Sequence, residues 1–256
     1  MGVVNVTPDS FSDGGRYLDP AAAIRHGEEL VRDGAEILDV GGESTRPGAE
    51  PVKGEEELRR VVPVVEGLAG VATVSVDTSK ASVAAAAIDA GATMVNDVTA
   101  LRGDPEMAAL CAERGVGVVL MHMPGSPRTM QDNPSYDDVV DDIKAFLVAR
   151  VEHAVGAGIA EEQLWLDPGI GFGKTLEHNL DLLRRLGELR ELGRPLVIGT
   201  SRKSFIGKVD GSTVDERIGG SLASAVLAAA EGADVLRVHD VTETAQALAV
   251  SSAILG

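Results

Sequence analysis

One unit recurs along this chain and limits its possible folds more than any other feature. An amphipathic stretch ends at glycine, a short apolar run follows, and polar residues close the run. It is read at Gly34-Ala35-Glu36-Ile37-Leu38-Asp39-Val40 and at Gly91-Ala92-Thr93-Met94-Val95-Asn96-Asp97. It returns at Gly115-Val116-Gly117-Val118-Val119-Leu120-Met121-His122 and at Gly232-Ala233-Asp234-Val235-Leu236-Arg237-Val238-His239. Glycine just past a helix takes the left-handed conformation, and an apolar run without alternation suits a strand buried on both faces. Four further runs fit the strand role: Gly2 to Asn5, Ala72 to Asp77, Leu164 to Asp167 and Leu196 to Gly199. Strands that alternate with helices imply a parallel sheet. Eight such units in 256 residues favour closure into a (β/α)8 TIM barrel, a fold of roughly 250 residues, over an open doubly wound sheet.

The stretches between the runs read as helices. Asp19-Pro20 is an N-cap followed by proline at the first helical position, where its missing N–H does no harm, and that helix is expected to reach Asp33. Helical stripes are read at Leu58, Val61, Val62, Val65 and Leu68, and at Val139, Val140, Ile143, Phe146, Leu147 and Val151. Others are Leu182, Leu183, Leu186 and Leu189; Ile218, Leu222 and Val226; and Thr244, Ala245 and Leu248. No linker divides the chain, so residues 1–256 read as one barrel domain. The long stretches from Thr7 to Leu18, Glu43 to Lys53 and Met123 to Ser135 follow strands and are the candidate working loops.

Charge and composition exclude several classes. The net charge of -17 weighs against nucleic acid or anionic membrane as a partner. No apolar run approaches the ~20 residues a spanning helix needs, and no secretory signal is read ahead of the first strand. With one cysteine, Cys111, an internal disulfide is impossible and a reducing, cytoplasmic location is expected.

Barrel enzymes build their sites at the C-terminal ends of the strands. Asn5, Asp39, Asp77, Asn96, Asp97, His122, Asp167, Ser201, Arg202, Lys203, Arg237 and His239 all stand at or just past such ends. Strand ends that are all polar describe a pocket better than eight unrelated loop caps. Arg202, Lys203, Arg237 and His239 follow strands seven and eight, the usual phosphate position of this fold, and guanidinium forks suit phosphate oxygens. Arg237 and His239 share strand parity, so both can face the mouth while Val238 faces the helices. Charge balance for nearby carboxylates is the competing reading. Asp77, Asn96 and Asp167 suit the amino-pyrimidinone edge of a pterin, though guanine, a sugar or a buried ionic network would also explain them. Histidines and cysteines show no metal-ligand spacing. His26, His153 and His178 read as surface residues on helices, and His122 is left without a role. Gly169-Ile170-Gly171-Phe172-Gly173 lacks the spacing and the ribose acid of a nucleotide loop.

The longer motifs are more specific. Asn5-Val6-Thr7-Pro8-Asp9-Ser10-Phe11-Ser12-Asp13-Gly14-Gly15 resembles the first-loop signature of dihydropteroate synthases, and Gly41-Gly42-Glu43-Ser44-Thr45-Arg46-Pro47-Gly48 resembles their second. Ser75-Val76-Asp77-Thr78, Val95-Asn96-Asp97-Val98, Met121-His122-Met123, Leu166-Asp167-Pro168-Gly169, Gly171-Phe172-Gly173-Lys174, Ser201-Arg202-Lys203-Ser204 and Arg237-Val238-His239-Asp240 follow in family order. The resemblance spans nearly the whole chain.

The resemblance implies a transferase of folate biosynthesis, of the kind that sulfonamides target, joining a pterin methyl diphosphate to 4-aminobenzoate with release of pyrophosphate. It implies that Asp77, Asn96, Asp167 and Lys203 hold the pterin and that Arg237 and His239 hold the diphosphate. Asn5 would share a Mg2+ ion with diphosphate oxygens and water. Thr45, Pro47, Phe172, Lys203 and Ser204 would line the aminobenzoate pocket, and Arg46 would be a further substrate-binding residue. Asp13, with Asp9 as the alternative, would order the first loop and face the developing charge, making Asp13, Lys203, Arg237 and His239 the catalytic set. A homodimer through the later helices is implied as well. Family members usually carry a short segment ahead of the first strand and a slightly longer last helix. Two rival readings are a corrinoid-linked pterin methyltransferase barrel and a pterin-binding paralogue without turnover.

Overall fold

The computed structural model describes residues 1–7, 19–45 and 48–255. Eight strands are found there: β1 (Gly2–Asn5), β2 (Ile37–Gly41), β3 (Thr73–Asp77), β4 (Met94–Asp97), β5 (Gly117–Met121), β6 (Leu164–Asp167), β7 (Val197–Ile198) and β8 (Val235–Leu236). All pairings are parallel, with β1 to β6 in sequential order and β7 beside β8. Single parallel bridges join the two groups at both seams, Gly2 to Val238 and Leu166 to Leu196. Val3 N–H donates to the Val238 carbonyl at 3.1 Å, and Leu166 N–H to the Pro195 carbonyl at 2.9 Å. The strands therefore form a ring, as the eight recurrent units predict. Its seams are slight because β7 and β8 are two residues each.

Helices α1 (Pro20–Arg32), α2 (Gly54–Leu68), α3 (Ala81–Asp89), α4 (Met107–Arg114), α5 (Val139–Gly156), α6 (Leu176–Arg184), α7 (Ser204–Asp210), α8 (Ile218–Ala230) and α9 (Val241–Leu255) alternate with the strands. The short α7 is an extra turn of helix inserted between β7 and the crossover helix α8. The Asp19 carboxylate accepts from Ala21 N–H and Pro20 opens α1, as the capping pattern predicts. Gly34, Gly91, Gly115 and Gly232 all take positive φ, which confirms the punctuation of the recurrent unit.

Three helix faces differ from the sequence reading. On α2 the buried side is Glu57, Val61, Val64, Val65 and Leu68; Leu58 and Val62 are half-buried. A buried carboxylate in that stripe defeats a purely apolar pattern. The Leu182 to Leu189 stripe breaks at Arg185, beyond which Leu186–Leu192 is a 3-10 helix. On α8 the buried side is Ser221, Ser224, Ala225 and Ala228, whereas Ile218 is exposed. That helix is apolar nearly all round, so hydropathy cannot select its face and the small residues pack inward.

The barrel interior is filled in layers. Ile37, Met94, Val119, Trp165, Val197 and Val235 belong to one apolar cluster, set apart from the main core between sheet and helices. Two residues further along, strand parity places Asp39, Asn96, Met121, Asp167, Gly199 and Arg237 on the same inner face. An apolar plug thus closes the lower end, and the polar layer lies directly above it.

Candidate active site

Register brings the strand-end residues together. Asp77 pairs with Asn96 on β4 and with Gly41 on β2, and Gly41 pairs in turn with Asn5 on β1. Asp77, Asn96 and Asp167 are nearly buried, and Asp39, in the same layer as Asn96 and Asp167, has no exposure at all. Arg237 reaches across the ring from the end of β8. Its Nε donates to Asp39 Oδ2 at 2.6 Å and its Nη2 to Asp77 Oδ2 at 2.9 Å. Asn96 Nδ2 donates to the same Asp39 oxygen at 3.0 Å.

Lys203 closes the opposite side. It occupies the N-cap of α7, and its Nζ donates to the Ile170 carbonyl and stands 4.9 Å from the centre of the Phe172 ring. Both cations approach Gly199: a Cβ there would meet Lys203 Nζ at 3.5 Å and Arg237 Cβ at 3.8 Å, ordinary contact distances. Lys203, Arg237 and Asp167 therefore share one neighbourhood, close enough for both cations to act on the carboxylate. Val98, Met121, Met123 and Met130, with Phe172 against them, form a separate apolar cluster, a surface suited to the face of a flat ring whose edge meets the polar layer.

Burial sets the ionisation of this layer. Asp77 is pushed up to about 8, first by burial and then by the Asp39 charge, against the pull of Arg237. Burial also raises Asp167, opposed mainly by Lys203. Lys203 itself is lowered to about 8 by burial despite Asp167. Near neutral pH the site can thus present a protonated carboxyl and an ammonium, donors as well as acceptors, to a heterocycle.

The four basic residues that follow strands seven and eight do not act alike. Arg202, at φ +55°, is engaged by Asp240 through Nε at 2.9 Å and through Nη2, so for this residue charge balance is the reading the structure favours. Arg237 is held by carboxylates on one side but lines the opening. His239 packs against Ser201, whose hydroxyl lies 3.0 Å from its Nδ1. Thr45 lies on the second loop, past β2, and Ser204 is the exposed first residue of α7. The predicted Asp13, its alternative Asp9, and the predicted Arg46 and Pro47 lie outside the described residues.

Two buried clusters escape sequence reasoning. Lys174, only 1% exposed, donates to the Gly169 and Phe172 carbonyls at 2.9 and 3.0 Å and lies 3.0 Å from His122 Nδ1. It clasps the loop after β6 onto the end of β5, which supplies the role left open for His122; burial lowers that imidazole to about 2, leaving it neutral. The second cluster is Glu57, which accepts from Thr78 Oγ1 at 2.6 Å and pairs with Lys80, which also pairs with Glu43. It ties the second loop to the residue after Asp77. Only the Gly171-Phe172-Gly173-Lys174 motif hinted at the first cluster, and nothing in the periodicity hinted at the second. No group of three His, Cys, Asp or Glu among the described residues could hold a metal ion, and no described helix is long and apolar enough to cross a membrane.

The family model of pterin binding enzymes matches residues 1–239. The dihydropteroate synthase of Escherichia coli (strain K12) is 49% identical over 257 residues, covering 100% of this chain and 91% of that one. The Yersinia pestis dihydropteroate synthase, solved with a sulfonamide drug complex, superposes with a TM-score of 0.97 at 48% identity, covering 100% of this chain and 93% of that one. The Xanthomonas albilineans dihydropteroate synthase solved with 4-aminobenzoic acid gives a TM-score of 0.93 at 51% identity, covering 100% and 92%. A ring of parallel strands with acids, an amide and two cations at one mouth, together with these likenesses over the full chain, places the chain in the pterin-binding enzyme family, among the dihydropteroate synthases.

Proposed function

We propose that the chain joins 6-hydroxymethyl-7,8-dihydropterin diphosphate to 4-aminobenzoate, giving 7,8-dihydropteroate and pyrophosphate. The observation that carries this reading is the convergence of Asp77, Asn96, Asp167, Lys203 and Arg237 on one opening above the apolar plug. Asp77, Asn96, Asp167 and Lys203 grip the edge of the pterin. Arg237 and His239 face the diphosphate, so charge on the departing oxygen is met by cations already in place. The methylene C–O bond breaks with its electron pair leaving on the diphosphate, and the ring delocalises the positive charge. The neutral amine then forms the C–N bond and gives up a proton. Thr45, Pro47, Phe172, Lys203 and Ser204 are assigned to the aminobenzoate, Arg46 to substrate binding, and Asp13 to the developing positive charge.

Mg2+ is the cofactor of this reading. The Asn5 side-chain oxygen at the end of β1 is a hard ligand of the kind Mg2+ takes, while diphosphate oxygens and water would complete the shell. When bound, the ion would neutralise the leaving group. A second copy of the chain is the assigned macromolecular partner, supported by apolar side chains exposed on α8 and α9, Leu227 at 64% and Ile254 at 76%. A cytoplasmic setting is supported by the buried free thiol of Cys111.

The test is pyrophosphate release by the purified chain with Mg2+. Release that requires both substrates, competes with a sulfonamide, and disappears in Lys203→Ala and Asp167→Ala is the expected result. Methyl transfer to a corrinoid, or pterin binding without product, would replace this reading with one of its rivals. Sedimentation at micromolar concentration tests the dimer, and a monomer refutes it.

A further inference from the structure

Asp39 lies in the middle of β2, beside residues assigned to substrate, and the family motifs give it no role. Its carboxylate is fully buried. One oxygen, Oδ2, accepts from both Arg237 Nε and Asn96 Nδ2, whereas Oδ1 meets no donor among the described residues. A carboxylate so placed is a poor stabiliser, because desolvation takes back much of what a buried ion pair contributes. Its geometry does serve the site. One atom ties the guanidinium assigned to diphosphate to the amide assigned to pterin, two groups that come from strands on different sides of the ring.

The two contacts of Arg237 differ in kind. Nε meets Asp39, which is fully buried, and Nη2 meets Asp77, which keeps a slight exposure. We propose that Asp39 is a positioning residue: it keeps Arg237 by Nε and Asn96 by Nδ2 throughout turnover, while Arg237 Nη2 exchanges Asp77 for the phosphates of the pterin substrate. Asp77 is released to the heterocycle as Arg237 engages the diphosphate, so one movement of the guanidinium prepares both halves of the same substrate. This inference rests on the synthase reading, and wild-type turnover tests that reading separately.

The test is Asp39→Asn, which preserves shape and removes the charge. The expected loss in kcat is about 10- to 100-fold, equivalent to one hydrogen bond to a charged group, with the KM for aminobenzoate unchanged. A role in stability alone would leave two further readouts unmoved. First, the groups facing Asp77 are Asp39 on β2, Arg237 on β8, Glu57 on α2 and Asp97 at the end of β4; with the Asp39 charge gone, the pH limb of pterin binding moves to lower pH. Second, adding Asp39→Asn to Arg237→Lys should cause little further loss, since residues acting as one unit are not additive. An unshifted pH limb, or losses that multiply in the double variant, overturns the proposal. Should Asp39→Asn not fold, wild-type crystals with the pterin diphosphate decide the matter. Arg237 Nε must remain within about 3.2 Å of Asp39 with Nη2 on phosphate, and a guanidinium that has left Asp39 overturns it.

Discussion

The loop after β6 gives the most exacting prediction, because one atom added there has nowhere to go. Gly169 lies at φ +70°, and a Cβ on it would stand 2.0 Å from the carbonyl oxygen of His122. That obstacle is backbone at the end of β5, so no side-chain rotation relieves it. Gly169→Ala therefore carries two penalties. Left-handed φ on a residue with Cβ costs about 1–2 kcal/mol, and forcing the loop away from a packed neighbour costs about 1–3 kcal/mol more. Gly193→Ala isolates the first penalty, since Gly193 has φ +63° and nothing within 4 Å of its Cβ position. Thermal or denaturant unfolding of the two variants should differ by about 1–3 kcal/mol, or several degrees in midpoint at about 2–4 °C per kcal/mol for a chain of this size. Turnover should fall only in Gly169→Ala. Gly169 N–H donates to Asp167 Oδ1 at 2.7 Å and the Gly169 carbonyl accepts from Lys174, so moving the loop moves the Phe172 ring together with Asp167, which we assign to the pterin. Equal stabilities within about 0.5 kcal/mol, the ordinary scatter of neutral surface substitutions, would refute the geometry of this loop.

Three other outcomes follow from the same structure. Lys203 is lowered to about 8 by burial, so kcat/KM should decline above pH 8 as the ammonium is lost; over the same rise the unfolded chain, with its lysine at the ordinary 10.5, binds more protons than the folded one, and this group makes stability increase from pH 8 towards 10.5. Replacing Lys203 by Arg should remove that alkaline decline. Lys174→Met should change stability by less than about 2 kcal/mol, because relief of a buried amine offsets its lost hydrogen bonds, yet lower turnover at least tenfold; calorimetry beside steady-state kinetics checks both. Lys80→Met leaves the buried Glu57 carboxylate with Thr78 alone, so it should cost about 3 kcal/mol in urea unfolding and raise the KM for aminobenzoate by loosening the second loop.

Local sequence determined a good deal by itself. Glycine ahead of four of the strands, the Asp19-Pro20 cap and short apolar runs are instructions read within a few residues, and they predicted eight parallel units and the polar strand ends. Asp77, Asn96, Asp167, Lys203 and Arg237 could be placed at one end of the strands because strand ends are set by local pattern. The partners of those residues were not legible. Arg237 meets Asp39 across 198 positions of sequence, Lys174 meets His122 across 52, and Lys80 meets Glu43 across 37. Hydropathy hid Glu57 inside an apolar stripe and could not choose a face for α8, whose surface is apolar nearly all round. Periodicity specifies the direction a side chain takes from its own strand or helix; what stands opposite depends on the register at which the strands close into a ring. That closure selected which acids share Arg237, and it alone decided that this guanidinium spans two layers of the barrel.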